Sequence, residues 1–158
     1  MLNNKQQEKK HYVCAFVFSQ SLEKVYLLRK ERPDWQKGLL NGLGGLIKTN
    51  ERPSAAMTRA FQEECSVFVH DSQWMDIEDM ENQNVFVRFY TARLPEGVIP
   101  KTTTDENVWG VYWRNYNQIG WDQIGVVDNI PYLIYKAHLR ASKKDEKFMI
   151  LQNEKNKS

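Results

Sequence analysis

A glycine-containing loop runs directly into the strongest helix signal of this chain, and this junction limits the folds that the chain can adopt. Four glycines lie within residues 31–45, where Pro33 also breaks regular structure. The residues from Pro53 to Cys65 are mostly acceptable or good helix formers, and proline suits a first helical turn, where its missing N–H costs nothing. The sequence therefore predicts a loop that ends in a helix over about 53–65.

Two neighbouring sides of this helix differ in their chemistry. Helical spacing puts three residues on each side: Met57, Phe61 and Glu64 on one, and Ala56, Ala60 and Glu63 on the other. An apolar stripe therefore lies beside two adjacent carboxylates, which we expect on the solvent side. Hard cations such as Mg²⁺ bind oxygen and typically take one or two carboxylates together with waters and substrate phosphates. A carboxylate-bearing helix beside a glycine-rich loop therefore predicts a Mg²⁺–polyphosphate site.

Apolar runs elsewhere predict strands and a second helix. β-branched and aromatic residues predict strands at 12–18, 25–28, 67–69, 85–92 and 108–113. A short strand also fits near Leu39 and Leu40, and a helical pattern runs from about Pro131 to Ala141. Because the strands and helices do not strictly alternate, the pattern predicts an α+β or an α/β/α layered domain.

Length and composition favour a single globular domain. The chain has 158 residues, of which 41% are hydrophobic and 27% are charged, and these values exclude a fibrous or wholly disordered protein. We expect a flexible polar tail over 1–10, one domain over 11–141 and a charged C-terminal tail over 142–158 that can dock in part.

Charge and cysteine usage narrow the class of protein further. The net charge of +2 argues against a dedicated nucleic-acid binder. No apolar run approaches the ~20 residues that span a bilayer, so we expect no membrane role. Cys14 and Cys65 are too few for a disulfide framework, and we expect two buried, reduced thiols in a cytoplasmic protein. The sequence leaves the oligomeric state open, with a homodimer as one option.

The stretch from Gly45 to Val67 resembles the Nudix box, the signature of the Nudix hydrolases. Seven residues match the box at the family's spacing: Gly45, Glu51, Arg59, Phe61, Glu63, Glu64 and Val67. The preceding run, Asn41-Gly42-Leu43-Gly44-Gly45, is similar to the lead-in to the box in MutT-like members, as are Trp35 and Gly38. The resemblance covers residues 11 to 141. It implies the Nudix fold, an α/β/α sandwich with a mixed sheet between helices.

The resemblance also implies a divalent cation, Mg²⁺ or Mn²⁺, and a nucleotide substrate. The implied metal ligands are Gly45, Glu63, Glu64 and Glu106, and the implied catalytic residues are Glu63, Glu64, Arg59 and Glu106. The implied substrate contacts are Trp35, Asn41 and Asn129. Asp105 and Glu106 lie where a further acidic residue often joins the metal site of the family, or else they form an ordinary loop pair.

Several of these residues have ordinary structural explanations as well. Arg59 suits a helix partner of Glu63 at i, i+4. Trp35 fits a core position as well as it fits a stacking platform, and Asn129 also suits a helix cap. The basic pair Arg29–Lys30 at a strand end is expected to solvate the sheet edge rather than to bind phosphate.

Two positions depart from the pattern of the family. Ala60 stands where the family has a glutamate after the arginine, and Ser66 stands where it has a glycine near the end of the box. Serine tolerates a left-handed turn less well than glycine does. Alanine can neither bind a metal nor act as a general base. Activity is therefore expected to be weak or absent unless a carboxylate outside the box supplies the base.

Two classes of function follow from these residues. The first is a Nudix-type pyrophosphohydrolase that cleaves a nucleoside diphosphate-linked substrate, with nucleoside triphosphates favoured by the MutT-like lead-in. The second is a degenerate Nudix domain that binds nucleotides without efficient hydrolysis, as a sensor or a partner-binding module. The sequence is also compatible with an alanine introduced at position 60 to trap a substrate.

Overall fold

Within the residues that the structure describes, one mixed sheet of seven strands lies between two α-helices, which confirms the expected α/β/α sandwich. The computed structural model describes residues 8–102, 106–112 and 129–155, with side chains up to Lys143 in the last of these. The strands are β1 (Lys10–Phe18), β2 (Lys24–Arg29), β3 (Leu40–Asn41), β4 (Leu43–Leu46), β5 (Met75–Glu81), β6 (Val85–Arg93) and β7 (Asn107–Tyr112). The helices are α1 (Pro53–Cys65) and α2 (Ile130–Lys155), with short 3₁₀ helices at Asp34–Gln36 and Asp71–Gln73.

Strands β1 and β2 pair next to their connecting turn and then diverge. Val17 and Phe18 of β1 lie opposite Tyr26 and Val25 of β2. Further along, β4 pairs with the inner edge of β1 and β3 pairs with the inner edge of β2. The outer edges are covered by β6, parallel to β1, and by β7, antiparallel to β2. The segment β3–β4 therefore fills a wedge between β1 and β2.

Alternation along the strands builds an apolar core on each face of the sheet. Val13, Ala15 and Val17 of β1 belong to the core on the α1 face, whereas Phe16 and Phe18 belong to the core on the α2 face. The helices contribute Ala56, Met57, Phe61 and Cys65 to the first core and Ile130, Leu133, Ile134, Ala137 and Ala141 to the second. Each fully buried large side chain stabilises the fold by roughly 1.5–3 kcal/mol. Packing of this kind fixes α1 against the wedge.

The strand predictions fail in one place and miss two strands, of which β4 (Leu43–Leu46) lies in the stretch expected to be a glycine-rich loop. The strand expected at 67–69 is wrong: Val67 and Val69 are buried in the core, but the segment pairs with no strand within the described residues. Thr58 of α1 instead donates a hydrogen bond of 2.7 Å from Oγ1 to the carbonyl oxygen of Val69. Strand β5 was not predicted, because four of its seven residues are acidic and mask its apolar positions.

Helix α2 is longer than its apolar pattern indicates. It begins at Ile130 and continues to Lys155, whereas the pattern predicts an end near Ala141. The residues after Ala141 include good helix formers and contain neither glycine nor proline, so nothing in them stops the helix. Part of the predicted C-terminal tail is therefore helical. Within the described ranges, no helix combines the length and the apolar character needed to cross a membrane.

Candidate functional site

Arg59 ties the loop before α1 to the helix itself. Its guanidinium donates from Nε to Oε2 of Glu51 at 2.8 Å and from Nη2 to Oε1 of Glu51 at 2.9 Å, a fork-like charged pair. It also donates to the carbonyl oxygen of Leu46 at 2.8 Å and to Oε2 of Glu63 at 3.2 Å. The hydrogen-bonded guanidinium holds the pKa of Glu51 at about 2. Arg59 thus fixes the loop and also meets the predicted helix partner Glu63.

Ser66 ends α1 in the left-handed conformation for which the family uses glycine. Its φ is 60° and its ψ is 23°, and its backbone N–H donates to the carbonyl oxygen of Gln62 at 3.0 Å. A side chain in this region carries some strain, which serine accepts here. The departure at position 66 therefore leaves the helix end in the same kind of turn.

Glu64 lies against the sheet rather than on the solvent side where it was expected. Its Oε2 is buried and has no hydrogen-bond partner among the described residues. Burial raises the pKa of Glu64 to about 7, while the Lys30 ammonium and the backbone N–H of Gly44 act to lower it. The charges of Glu106 and Glu63 act to raise it. Burial disfavours the ionised form of Glu64, and the charge of Lys30 and the Gly44 N–H do not offset that cost. The ionised carboxylate therefore lacks positive charge in its surroundings.

Strands β2 and β7 bring Lys30 and Glu106 together. Arg29 at the end of β2 pairs with Asn107 at the start of the antiparallel strand β7. Lys30, which follows Arg29, therefore lies near Glu106, which precedes Asn107. Nζ of Lys30 is 3.5 Å from Oε2 of Glu106, and the backbone N–H of Glu31 donates to the same oxygen at 2.8 Å. The interpretation of Lys30 as an edge-solvating residue is therefore wrong, because its ammonium faces the carboxylates.

Glu63 and Ala60 have environments unlike that of Glu64. The side chain of Glu63 is 61% exposed and is paired with Arg59. Ala60 is 3% exposed and faces β4, where a Cβ added to Gly45 would lie 3.1 Å from the Ala60 Cβ. Gly45, a predicted metal ligand, thus lies under α1 and allows its close approach. Lys30 pairs with Glu106 and its charge also acts on Glu64, whereas Glu63 lies at the outer side, paired with Arg59.

The residues around Lys30 fit a hard divalent cation. Glu64 offers a buried oxygen without a partner, and Glu106 offers a second carboxylate nearby. No three His, Cys, Asp or Glu side chains gather as a metal-binding group in the part of the chain that the structure describes, and Asp105 lies outside that part. Mg²⁺ typically needs only one or two carboxylates, since waters and substrate phosphates complete its shell. Glu64 and Glu106 are thus the two side chains that could hold such a cation here.

Two of the predicted substrate residues lie near the wedge. Trp35, in the first 3₁₀ helix, is 68% exposed, which excludes a core position and leaves its ring open to solvent. Asn41 lies on β3 opposite Leu28 of β2, and its Nδ2 donates to Oε1 of Gln36 at 3.4 Å. Asn41 is therefore held half-buried inside the wedge, on the strand that leads into β4.

Asn129, the third predicted substrate residue, lies at the start of α2. Its carbonyl oxygen accepts a hydrogen bond of 3.2 Å from the backbone N–H of Leu133, so its main chain caps the helix. Its exposed side chain places Nδ2 3.6 Å from Sδ of Met80 on β5. Strands β1 and β6 separate β5 from the wedge, so Asn129 and Asn41 are not in contact.

Comparison with known proteins places this fold. No protein-family model matches the sequence, and no curated protein matches it either. Solved structures do match. The NUDIX domain of Shewanella oneidensis NrtR, in complex with ADP ribose, has a TM-score of 0.68 and 16% identity, over 89% of this chain and 93% of that chain. DR0079 from Deinococcus radiodurans has a TM-score of 0.63 and 15% identity, over 87% and 90%.

A MutT structure from work on the Aliivibrio salmonicida and Vibrio cholerae proteins is also similar. Its TM-score is 0.60 and its identity 18%, over 70% of this chain and 86% of that chain. These similarities agree with the α/β/α sandwich described above. The chain therefore has the fold of Nudix domains, as the Nudix-box resemblance predicted.

Proposed function

We propose that the protein is a Nudix-type pyrophosphohydrolase that uses Mg²⁺ or Mn²⁺ to cleave a nucleoside diphosphate-linked substrate. The observation that carries the proposal is Glu64. Its buried, unpartnered oxygen lies at the end of the box helix, close to a second carboxylate, Glu106. Burying a carboxylate without a counter-charge is unfavourable, so this arrangement is best explained by a cation that binds there.

The chain's own groups have distinct tasks in this proposal. Glu64 and Glu106 hold the cation, and a bound divalent cation would supply positive charge against the charge that develops on the phosphate oxygens. Arg59 is a positioning residue in this proposal: it fixes the loop 46–51 through Glu51 and so holds the glycine-rich segment in register with α1. A carboxylate positioned near the substrate, Glu106 being the candidate, takes the proton from the attacking water.

The substrate class follows from the predicted contacts. Trp35 has an exposed ring on which a base could stack, and Asn41 in the wedge carries an amide suited to a base edge. Asn129 lies beside β5, away from the wedge, and is not part of this proposed contact set. The NrtR domain of similar fold was solved with ADP ribose, which contains a nucleoside diphosphate. A nucleoside triphosphate or a related nucleotide is the substrate that we propose.

One observation favours the alternative, a domain that binds nucleotides without efficient hydrolysis. Position 60 carries a buried alanine packed over Gly45, where the family has a glutamate. With Ala60 the site contains one carboxylate fewer than the family pattern implies. A site of this kind can retain a nucleotide and still lack the group that positions or deprotonates the water.

The experiment that separates the two functions is a release assay for phosphate and pyrophosphate. It uses a panel of nucleoside triphosphates, with Mg²⁺ or Mn²⁺ and with EDTA, and compares the parent with Glu64→Gln. ADP ribose is followed separately by the formation of AMP, because its hydrolysis gives AMP and ribose 5-phosphate and no free phosphate. Hydrolysis that needs the cation and is lost in Glu64→Gln supports the enzyme. Nucleotide binding by calorimetry without any release supports the binding module, and neither binding nor release contradicts both.

A further inference from the structure

We propose that Lys30 acts as an internal counter-ion for Glu64 and Glu106, and that a divalent cation must displace the Lys30 ammonium to bind between them. This inference rests on the proposed metal-dependent function and concerns how its site is kept ready. It assigns a positioning role to a residue that the sequence pattern placed at a solvated edge.

One ammonium pairs with Glu106, and its charge also acts on Glu64. Nζ of Lys30 lies 3.5 Å from Oε2 of Glu106, and the two side chains are only 23% and 15% exposed. The positive charge of Lys30 also acts on Glu64, the carboxyl whose Oε2 lacks a partner. With both carboxylates ionised, the single charge of the Lys30 ammonium does not neutralise the pair.

The contact between Lys30 and Glu106 is loose enough to be exchanged. A charged hydrogen bond is usually about 2.7–2.9 Å long, and the observed separation is 3.5 Å. Oε2 of Glu106 is held independently by the backbone N–H of Glu31 at 2.8 Å, so it keeps its place without Lys30. Glu106 is therefore already positioned for a cation other than the ammonium.

The main chain at Lys30 is fixed, which leaves its side chain as the moving part. The Lys30 N–H donates to the carbonyl oxygen of Leu39 at 2.8 Å, and the Gly38 N–H donates to the Lys30 carbonyl oxygen at 2.7 Å. A lysine side chain has four flexible methylene groups and carries its charge at the tip. The ammonium can thus swing toward solvent without disturbing β2 or the glycine-rich segment.

The apo protein gains from this arrangement. Without a cation, Lys30 partly compensates two carboxylates that would otherwise repel each other across the end of α1. When a divalent cation is present, its higher charge compensates the pair better than one ammonium does, and the released ammonium points outward. The site is therefore stabilised in both states by different cations.

The first test measures cation binding to the protein alone. Mn²⁺ is titrated at pH 8, with free Mn²⁺ read by electron paramagnetic resonance, for the parent, Lys30→Met and Lys24→Met. Removing the competing ammonium should tighten Mn²⁺ binding by about three- to tenfold, the scale of one nearby charge in a partly screened site. Lys24 lies at the other end of β2 with its ammonium 4.9 Å from the centre of the Tyr112 ring, so Lys24→Met should leave the affinity unchanged.

The second test detects the displacement itself. Lysine acetylation by a water-soluble ester, quantified by mass spectrometry, is compared with and without Mn²⁺ on the parent. Lys30 labelling should rise about two- to threefold with Mn²⁺, since a loose ion pair protects an amine only in part, and Lys24 labelling should not change. In Glu106→Gln, labelling of Lys30 should already be high without Mn²⁺.

The outcomes separate the inference from the proposed function. If the parent binds Mn²⁺ but Lys30→Met binds it no better and Lys30 labelling stays constant, the displacement is wrong and the metal site stands. Tighter binding in Lys30→Met with constant labelling means that Lys30 only repels the cation from a distance, which also overturns displacement. If the parent binds no Mn²⁺, both the inference and the metal-dependent function are wrong.

Discussion

Two carboxylates near opposite ends of the segment from Gly45 to Val67 have opposite environments. At the start, Glu51 receives two hydrogen bonds from Arg59, and its pKa is held at about 2. At the end, Glu64 is buried with an unpartnered oxygen, and its pKa is raised to about 7. The first carboxylate is fully compensated within the chain and serves the fold. The second lacks such compensation, which is the condition under which a cation from solution binds.

The difference also explains why an arginine pairs with Glu51, whereas a lysine lies at the site of Glu64 and Glu106. Arg59 offers a planar fork that matches both oxygens of Glu51, an arrangement that is specific and hard to exchange. Lys30 offers a single flexible ammonium at 3.5 Å from Glu106. An arginine suits a permanent structural pair, whereas a lysine suits a pair that has to open.

The largest expected effect comes from adding a carboxylate at position 60, one helical turn before the uncompensated Glu64. Ala60 lies one turn before Glu64 on α1, above the bare backbone of Gly45. Ala60→Glu should raise turnover on the best substrate by roughly 10²–10⁴-fold, the scale of a positioned acid or base. Steady-state rates of the parent and the variant measure this, with Ala60→Gln as the control that has the same size and no charge.

A loop carboxylate could already perform that task, and the same assay shows it. In that case Ala60→Glu leaves turnover unchanged or lowers it by crowding against β4, while Glu106→Gln abolishes a robust parental rate. If neither variant alters a robust rate, then neither position supplies the base. An equal gain in Ala60→Gln would mean that packing, and not charge, limits the parent.

The next effect concerns metal affinity and separates two adjacent residues. Glu64→Gln should weaken Mg²⁺ or Mn²⁺ binding by roughly 10- to 100-fold, a loss typical of a disturbed metal site. Glu63→Gln should have a smaller effect, because the Glu63 side chain is 61% exposed and paired with Arg59. Calorimetric titration at pH 8 compares them. Equal losses in both variants would show that the two carboxylates share the cation, as their adjacency in sequence predicts.

Removing the charge of Glu51 should lower the stability of the fold rather than change cation binding. Glu51→Gln removes a bidentate pair that is largely shielded from solvent, and we expect a loss of about 2 kcal/mol in the free energy of unfolding. The matched control is Asp79→Asn, which breaks a similar bidentate pair between Asp79 and Arg88. This pair is more exposed: the side chain of Asp79 is 45% exposed and that of Arg88 is 35% exposed. That control should cost about 0.5 kcal/mol or less. Urea unfolding measures both, and equal losses would remove the distinction between the two pairs.

The sequence predicted the segment well because its information is local. Pro53 and the helix formers after it define α1. The environment of Glu64 was predicted wrongly, since burial depends on how α1 packs over the wedge and not on the neighbours of Glu64 in sequence. The contact of Lys30 with Glu106 joins positions far apart in the chain, and only the pairing of β2 with β7 brings them together. Local patterns do not contain such pairings.

The smallest effect is a pH dependence of stability with opposite signs at the two ends. Glu51 has a folded pKa of about 2, below its ordinary value of 4.5, so its contribution is present above pH 4.5 and is lost as the pH falls toward 2. Glu64 has a folded pKa of about 7, above 4.5, so the folded state holds its proton more tightly. The contribution of Glu64 therefore favours folding below pH 4.5 and is lost as the pH rises to 7.

In metal-free buffer, Glu64→Gln isolates the contribution of Glu64 to the pH dependence of stability. The variant cannot ionise, so at pH 8 it should be more stable than the parent by on the order of 1 kcal/mol, which for this chain length raises Tm by roughly 2–4 °C. At pH 4.5 the two proteins should melt together. Thermal unfolding in EDTA at both values checks this, and adding Mg²⁺ at pH 8 should stabilise the parent but not the variant. A parent as stable as Glu64→Gln at pH 8 in EDTA would show that Glu64 is already compensated, and the contrast with Glu51 would then disappear.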